Sequence, residues 1–394
     1  MNIGRLAVCL LFACACFTAC NTGHGARRPL AKDLLGEWYK RYSGIAGGRQ
    51  VVVNMHHYDD KTIGFCYYPG EQAFTDLIEN EGTDDTFSIY LDEYERAFHT
   101  DKFDDDWALN ITGNVATGLL FGWKGKWKYE DEEKKPAPFT LIEDYPSGSY
   151  KLDVIIHGDS VEEKAGKDFA GAFSYYQVLL PTSQMTTGEA QFFMNTELHM
   201  LGGDSLGAVD TRDYIKKEDR KFFTGFRREL PDLTKNKIGG SAEEEEFNFE
   251  HTRNVFALYN EGGMICLELH DYNLSGKGNF RESSTYTCID MKQKRVWQLN
   301  DMVDTANPEF SRLVRTGFMD QYNRFVRDSA APLLTIDKVP LTANVFITGA
   351  GLYICYNPMV VIKNINEEIC IYIPWTTLKG LLKGDFRKRM GLPE

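Results

Sequence analysis

Val51-Val52-Val53-Asn54-Met55, the turn Asp59-Asp60-Lys61, and Thr62-Ile63-Gly64-Phe65-Cys66-Tyr67-Tyr68 decide how the first third of this chain folds. β-Branched and aromatic residues fill both runs, polar turn formers separate them, and Pro69-Gly70 closes the second. That order predicts a β-hairpin. The same pattern continues downstream. Phe87, Ile89 and Leu91 alternate with Ser88, Tyr90 and Asp92, the period of two of a half-buried strand. Further strand-like runs occupy 107–112, 117–123 and 138–142, with the turn Gly113-Asn114 between the first two. About seven short strands with no helical spacing between them predict an all-β meander, a small barrel or sandwich, over residues 35–146.

Beyond Ser147-Gly148 the pattern is mixed, and it predicts an α+β region over 147–394, in parts 147–250 and 251–394. Strand-like runs at 150–156 and 171–180 precede helical spacing at Ala190, Phe193, Met194, Leu198 and Leu201. A second helix is predicted over 211–229, with Asp210 as its N-cap and Pro231 beyond its end. Strands follow at 254–258, 264–269, 284–291 and 295–299. One amphipathic helix then carries Phe310, Leu313, Val314, Gly317, Phe318, Gln321, Tyr322 and Phe325 on one face. Strands at 351–356 and 369–373 lead to Pro374, expected to open a short last helix. The fold class expected is therefore α+β: the meander, then an antiparallel sheet packed with helices.

The N-terminus reads as a secretory leader. Arg5 precedes the apolar run 6–19, which is too short to span a bilayer. Phe17-Thr18-Ala19-Cys20 resembles the lipobox of bacterial lipoproteins. In that family the signal is cut before the cysteine, which is then acylated. The resemblance implies a signal peptide over 1–20, a lipid-carrying Cys20 and a polar tether over 21–34. Asn21, in place of the aspartate of inner-membrane retention, implies the outer membrane. Two or more acyl chains suffice for stable anchoring.

A net charge of −13 and the lack of a basic face exclude a nucleic-acid-binding role. Beyond the leader the cysteines are Cys66, Cys266, Cys288, Cys355 and Cys370, each inside an apolar run. They read as buried thiols, with one disulfide, Cys355–Cys370 or Cys266–Cys288, as the alternative.

Gly203-Asp204-Ser205-Leu206-Gly207 matches Gly-x-Ser-x-Gly, but a nucleophile elbow needs a strand before it, and helical spacing precedes it here. The last histidine is His270, so no late Asp-x-x-His supplies a base. The stretch reads as a helix stop at Gly202-Gly203 followed by a turn. His56-His57 and His157-Gly158-Asp159-Ser160 read as strand ends beside turns. Strand neighbours point to opposite faces, so His56 and His57 do not share one ion. Asp101, Asp104, Asp105 and Asp106 lack the spacing of a calcium loop. No catalytic, cofactor or metal residues are assigned. Aromatics beside strand turns, Tyr67, Tyr68, Trp123 and Trp127, are candidate ligand contacts through stacking. Lys277 and Asn279, in the loop 275–279, are candidates as well.

Residues 63–68 and 118–123 resemble the lipocalin-like meander of exported bacterial lipoproteins. From about 150 to 382 the chain resembles the extracytoplasmic module of lysozyme-sensing anti-sigma factors, which also accompanies some peptidoglycan deacetylases. The resemblance rests on three stretches. Tyr286-Thr-Cys-Ile-Asp290-Met-Lys-Gln-Lys-Arg-Val296-Trp-Gln-Leu299-Asn-Asp301 follows the family's Asp-x-x-x-Gly-x-x-x-x-Leu-x-Asp hairpin. The others are Phe346-Ile-Thr-Gly349 to Tyr356-Asn357-Pro358 and Glu368-Ile-Cys-Ile-Tyr-Ile-Pro374-Trp-Thr-Thr-Leu378. The family's Gly-Gly-Ala-His loop is replaced by Ser275-Gly276-Lys277-Gly278-Asn279, so that loop's role does not carry over. No deacetylase ligand set is present. The resemblance implies a non-enzymatic module that binds peptidoglycan or a muramidase. The alternatives are an envelope hydrolase or esterase and a structural subunit of an envelope complex. In cells fed a labelled fatty acid, the wild-type chain should carry label and Cys20→Ala should carry none; equal labelling would remove the anchor.

Overall fold

The computed structural model describes residues 36–58, 61–69, 74–79, 89–95, 107–111, 122–129, 137–165, 168–203, 210–235, 247–275, 279–327, 339–361 and 368–393. The leader, Cys20 and the Asp101–Asp106 cluster lie outside them. The fold is α+β.

Strands β1 (Trp38–Ala46), β2 (Arg49–Tyr58), β3 (Lys61–Tyr67), β4 (Phe74–Glu79), β5 (Ile89–Glu95), β6 (Trp107–Ile111), β7 (Trp123–Tyr129) and β8 (Ala137–Glu143) form an antiparallel meander. β1 also pairs with β8, so the ladder closes on itself as a barrel. Closure depends on Gly44, where a Cβ would lie 1.8 Å from the Thr140 carbonyl oxygen. Gly47 and Gly48, both at positive φ, make the two-residue turn between β1 and β2, the backbone a tight hairpin needs. Alternate residues, including Tyr42, Val53, Met55, Cys66, Tyr68, Trp123 and Leu141, fill one continuous core inside the ring. Of the strand expected at 117–123, residues 117–121 lie outside the described residues, and Trp123 opens β7.

The second layer is a six-stranded sheet of order β14-β13-β12-β11-β10-β9. Its strands are β9 (Leu152–Ala165), β10 (Asp168–Pro181), β11 (Phe247–Glu261), β12 (Met264–Ser275), β13 (Asn279–Asp290) and β14 (Arg295–Trp297). It is mixed, not wholly antiparallel: β10 and β11 run parallel. The crossover that parallel pairing requires is supplied by α1 (Thr187–Met200) and α2 (Thr211–Lys235). Thr186 and Glu189 form a capping box at the start of α1. At its end Gly202, at φ +83°, donates to His199 O, and the Gly203 amide donates to Leu198 O. This pair of bonds is a Schellman stop, as Gly202-Gly203 implied. Asp210 caps α2 through the Arg212 amide, but the helix runs past Pro231 to Lys235. His157 to Ser160 lie in the middle of β9, not at its end, because β10 continues the ladder past them to Lys164↔Phe169.

The third layer is the sheet β15 (Val345–Ile347), β16 (Gly351–Tyr356) and β17 (Ile369–Pro374). The short helix α3 (Leu299–Met302) and the amphipathic helix α4 (Pro308–Arg327) precede it, and α5 (Trp375–Leu378) and α6 (Gly384–Met390) follow it. Phe310, Val314 and Phe318 of α4 are fully buried. Gly317 admits Ile371, whose Cγ2 would lie 2.4 Å from a Cβ there. Pro374 is the N-cap of α5 rather than its first helical residue. The Asp290 carboxylate accepts from the Lys292 and Gln293 amides, from Trp297 Nε1 and from Arg389, which ties the β13–β14 hairpin to α6. Lys294, at the glycine of the hairpin pattern, has φ +50°.

All five described cysteines are buried thiols. Both disulfide alternatives are register partners, Cys266↔Cys288 and Cys355↔Cys370. The first pair stands as thiols 3.5 Å apart, beyond bonding distance.

The barrel docks on β11. Pairing with β10 ends at Gln177↔Asn254, and the β12 register then steps from Ala257↔Leu267 to Tyr259↔Cys266, leaving Leu258 as a bulge. Side chains satisfy the open backbone. Gln177 donates to Val255 O, Asn54 donates to Leu258 O at 2.9 Å, and His56 Nε2 accepts from the Ala257 amide at 3.1 Å. Asn260 and Tyr39 continue the network, Asn260 Nδ2 donating to Tyr39 Oη and Tyr39 Oη to Asn54. Arg41, buried, pairs with Glu261. Around these bonds Phe256 meets His56, Tyr58 and Phe65, and Phe74 meets Phe346 and Tyr353.

Burial pulls the His56 pKa down to about 3, and the Ala257 carbonyl oxygen, 3.3 Å from Nε2, opposes this only in part. The unfolded chain therefore binds a proton at this site near pH 6.5, before the folded chain does. The stability it contributes is complete above that pH and is lost as pH falls toward 3. His56→Gln keeps an acceptor without a titration. In urea melts the wild-type advantage should hold down to about pH 6.5 and then shrink by about 1.4 kcal/mol per pH unit toward pH 4; parallel curves would contradict it.

Candidate functional site

At one end of the mixed sheet, β9, β10 and β11 leave a hollow of about 390 Å³ lined by Ser160, Glu162, Gly171, Phe173 and Glu250. Register explains it. Ser160, Phe173 and Glu250 are paired neighbours across the three strands, so their side chains share a face. In the next row Glu162 pairs with Gly171, which has no side chain to fill the space. The opposite face is occupied: Ala170, Ala172 and Phe249 pack under Phe223 and Phe226 of α2.

Phe173 is a large aromatic left 38% exposed. It stacks on Tyr175 at 6.1 Å, and Tyr175 meets Tyr58 of the barrel at 6.5 Å. The ring is thus braced from the side. Glu250 is oriented by Thr252, whose hydroxyl donates to it at 2.9 Å, and Glu162 is exposed on the other side. The hollow offers one apolar ring face between two carboxylates and a hydroxyl. That arrangement stacks a flat apolar surface and accepts hydrogen bonds from donors at its rim.

The sequence-derived contacts lie elsewhere. Tyr68 and Trp123 belong to the barrel interior, and Tyr67 packs outward against Tyr259. All three are buried, which corrects their reading as exposed stacking residues. A turn marks where a strand ends, not which side of the sheet a ring takes. Trp127 and Asn279 are strand residues whose side chains lie outside the described set, as does Lys277 entirely. Ser160, Glu162, Phe173 and Glu250 carry no local motif. The β9–β10 hairpin brings Ser160 and Glu162 beside Phe173, and Glu250 joins them only because β10 and β11 pair across the two-helix crossover. The one signal was Gly171 two residues before Phe173, a gap beside an aromatic on the same face.

Several other polar groups are tied into the core. Ser205 lies outside the described residues. His157 and Ser174 both bind the Asp219 carboxylate, one on each oxygen. The buried serine hydroxyl donates to Asp219 at 2.5 Å, so the histidine is not placed to take its proton. His57 stacks on Trp38 and contacts the Thr62 hydroxyl inside the barrel, while His56 faces β11. The two rings point apart, as strand alternation implies. Glu197 of α1 is wholly buried, and burial pushes its pKa up to about 8 against the Leu179 amide bond it accepts at 2.7 Å. It is thus mostly neutral at pH 7.

No family model matches the chain, and no curated protein does. Among solved structures, a DUF3298 family member from Bacteroides fragilis superposes with a TM-score of 0.50 at 11% identity. The match covers 62% of this chain and 98% of that one. A DUF3298 family protein from Pseudomonas aeruginosa PAO1 gives a TM-score of 0.40 at 14% identity, covering 62% and 97%. The first likeness is one of fold, to a family named as a domain of unknown function.

Proposed function

We propose that the protein is a lipid-anchored, non-catalytic component of the bacterial envelope that binds cell-wall glycan in the hollow over Phe173. The observation that carries this is the exposed Phe173 ring, backed by Tyr175 and flanked by Glu162, Glu250 and Ser160. A pyranose presents a C–H face to an aromatic ring while its hydroxyls donate sideways, and the hollow has acceptors at that rim. The resemblance of residues 150–382 to modules of lysozyme-sensing anti-sigma factors and peptidoglycan deacetylases points to the same ligand environment. The lipobox supports an anchor beside the wall. The neutral Glu197 and the Ser174–Asp219–His157 group serve the core in this reading.

Co-sedimentation with insoluble peptidoglycan checks it. Wild type should pellet with the glycan. Phe173→Ala and Glu250→Gln should each weaken binding about tenfold, a loss of about 1.4 kcal/mol, and Ile45→Ala on the barrel's outer face should change nothing. No sedimentation, or equal binding by Phe173→Ala, would overturn the assignment. Capture of lysozyme without glycan binding would do so in favour of a protein ligand.

A further inference from the structure

Cys355 of β16 and Cys370 of β17 are directly opposed across an antiparallel ladder, and Glu368 stands just before β17. One donor atom from each, two sulfurs and a carboxylate oxygen, lies within 4.8 Å of the other two. Both thiols are buried, and Glu368 is half-buried. We propose that Cys355, Cys370 and Glu368 form a site for a thiophilic divalent cation of the zinc type, which clamps β16 to β17.

The donor set selects the metal. Two sulfurs with one oxygen suit zinc and disfavour calcium or magnesium, which take oxygen ligands. Zinc bonds of about 2.3 Å to sulfur and about 2.1 Å to oxygen put ligands of a tetrahedron roughly 3.5–3.8 Å apart. Three donors already within 4.8 Å reach that spacing through small side-chain movements. A tetrahedral ion held by these three donors leaves its fourth position for water or a further donor.

A supporting shell is in place. Tyr286 Oη donates to Glu368 Oε2 at 2.6 Å, and the Cys370 thiol donates to the same oxygen at 3.3 Å. Tyr286 thus orients the carboxylate from the facing sheet, as outer-shell partners do for metal ligands. Glu268, buried on the other side of Tyr286 and held by Ser284 Oγ at 2.6 Å, adds acceptor character to the same interior. Binding balances as one dication, two thiols and one carboxylate giving a dithiolate–carboxylate complex of net charge −1 and two released protons.

Cobalt(II) is the probe. The full-length protein, reduced and stripped with a chelator, should take up one equivalent and develop a thiolate-to-cobalt charge-transfer band that stoichiometric zinc removes. Cys355→Ser and Cys370→Ser should lose the band, and Cys66→Ser, inside the barrel, should keep it. Glu368→Gln should raise the cobalt Kd at least tenfold. It keeps the side-chain shape, so it decides the matter if a serine variant fails to fold. No band, a band that survives Cys370→Ser, or an unchanged Kd in Glu368→Gln would overturn the site. So would a Cys355–Cys370 disulfide in protein isolated without reductant.

Discussion

The backbone of β11 beyond Asn254 is the constraint around which the molecule is arranged. There the strand loses its parallel partner and carries a bulge, leaving the Ala257 amide and the Leu258 carbonyl without ladder partners on that edge. Buried and unmade, such groups cost roughly 1–3 kcal/mol each. Asn54 and His56 of the barrel satisfy them from the side of β2 that faces outward. The alternate residues of β2, Val53, Met55 and His57, face the barrel interior. One strand thus builds the barrel core with one face and completes a second sheet with the other.

The aromatic contacts follow from that docking. Phe256 inserts among His56, Tyr58 and Phe65, while Phe74 reaches Phe346 and Tyr353 in the third sheet. The resulting core runs without interruption from the barrel's outer face through β11–β13 to β15–β17 and α4. The hollow over Phe173 depends on the same contact, since Tyr175 beside Phe173 leans on Tyr58. The thiol cluster lies farther into that core, where Tyr286 links the two sheets.

Much of this was legible in the residues. The β-branched and aromatic runs Val51–Met55 and Thr62–Tyr68, the apolar face from Phe310 to Phe318, and the Gly202-Gly203 stop all act through neighbours close in sequence. What was not legible depends on distant partners. Gly44 closes the barrel against Thr140, about a hundred positions away in the chain. Alternating strands read the same whether parallel or antiparallel, so the β10–β11 pair was invisible. Pro231 continued a helix it was expected to follow, because tertiary packing of Phe223 and Phe226 outweighs one missing amide. His56 looked like any strand-end histidine because the bulge it serves lies two hundred residues on. The aromatics failed as site markers for the same reason: Tyr67, Tyr68 and Trp123 have the composition of a platform and the position of a core.

Native-state hydrogen exchange tests the shared β2–β11 edge most directly. The account requires the amides of Val53–Met55 in β2 and Ala257–Tyr259 in β11 to open in one cooperative step, with equal exchange free energies that fall together in Asn54→Ala. Separate free energies for the two strands, with only β2 responding to Asn54→Ala, would show that the barrel merely rests on the sheets and would contradict it.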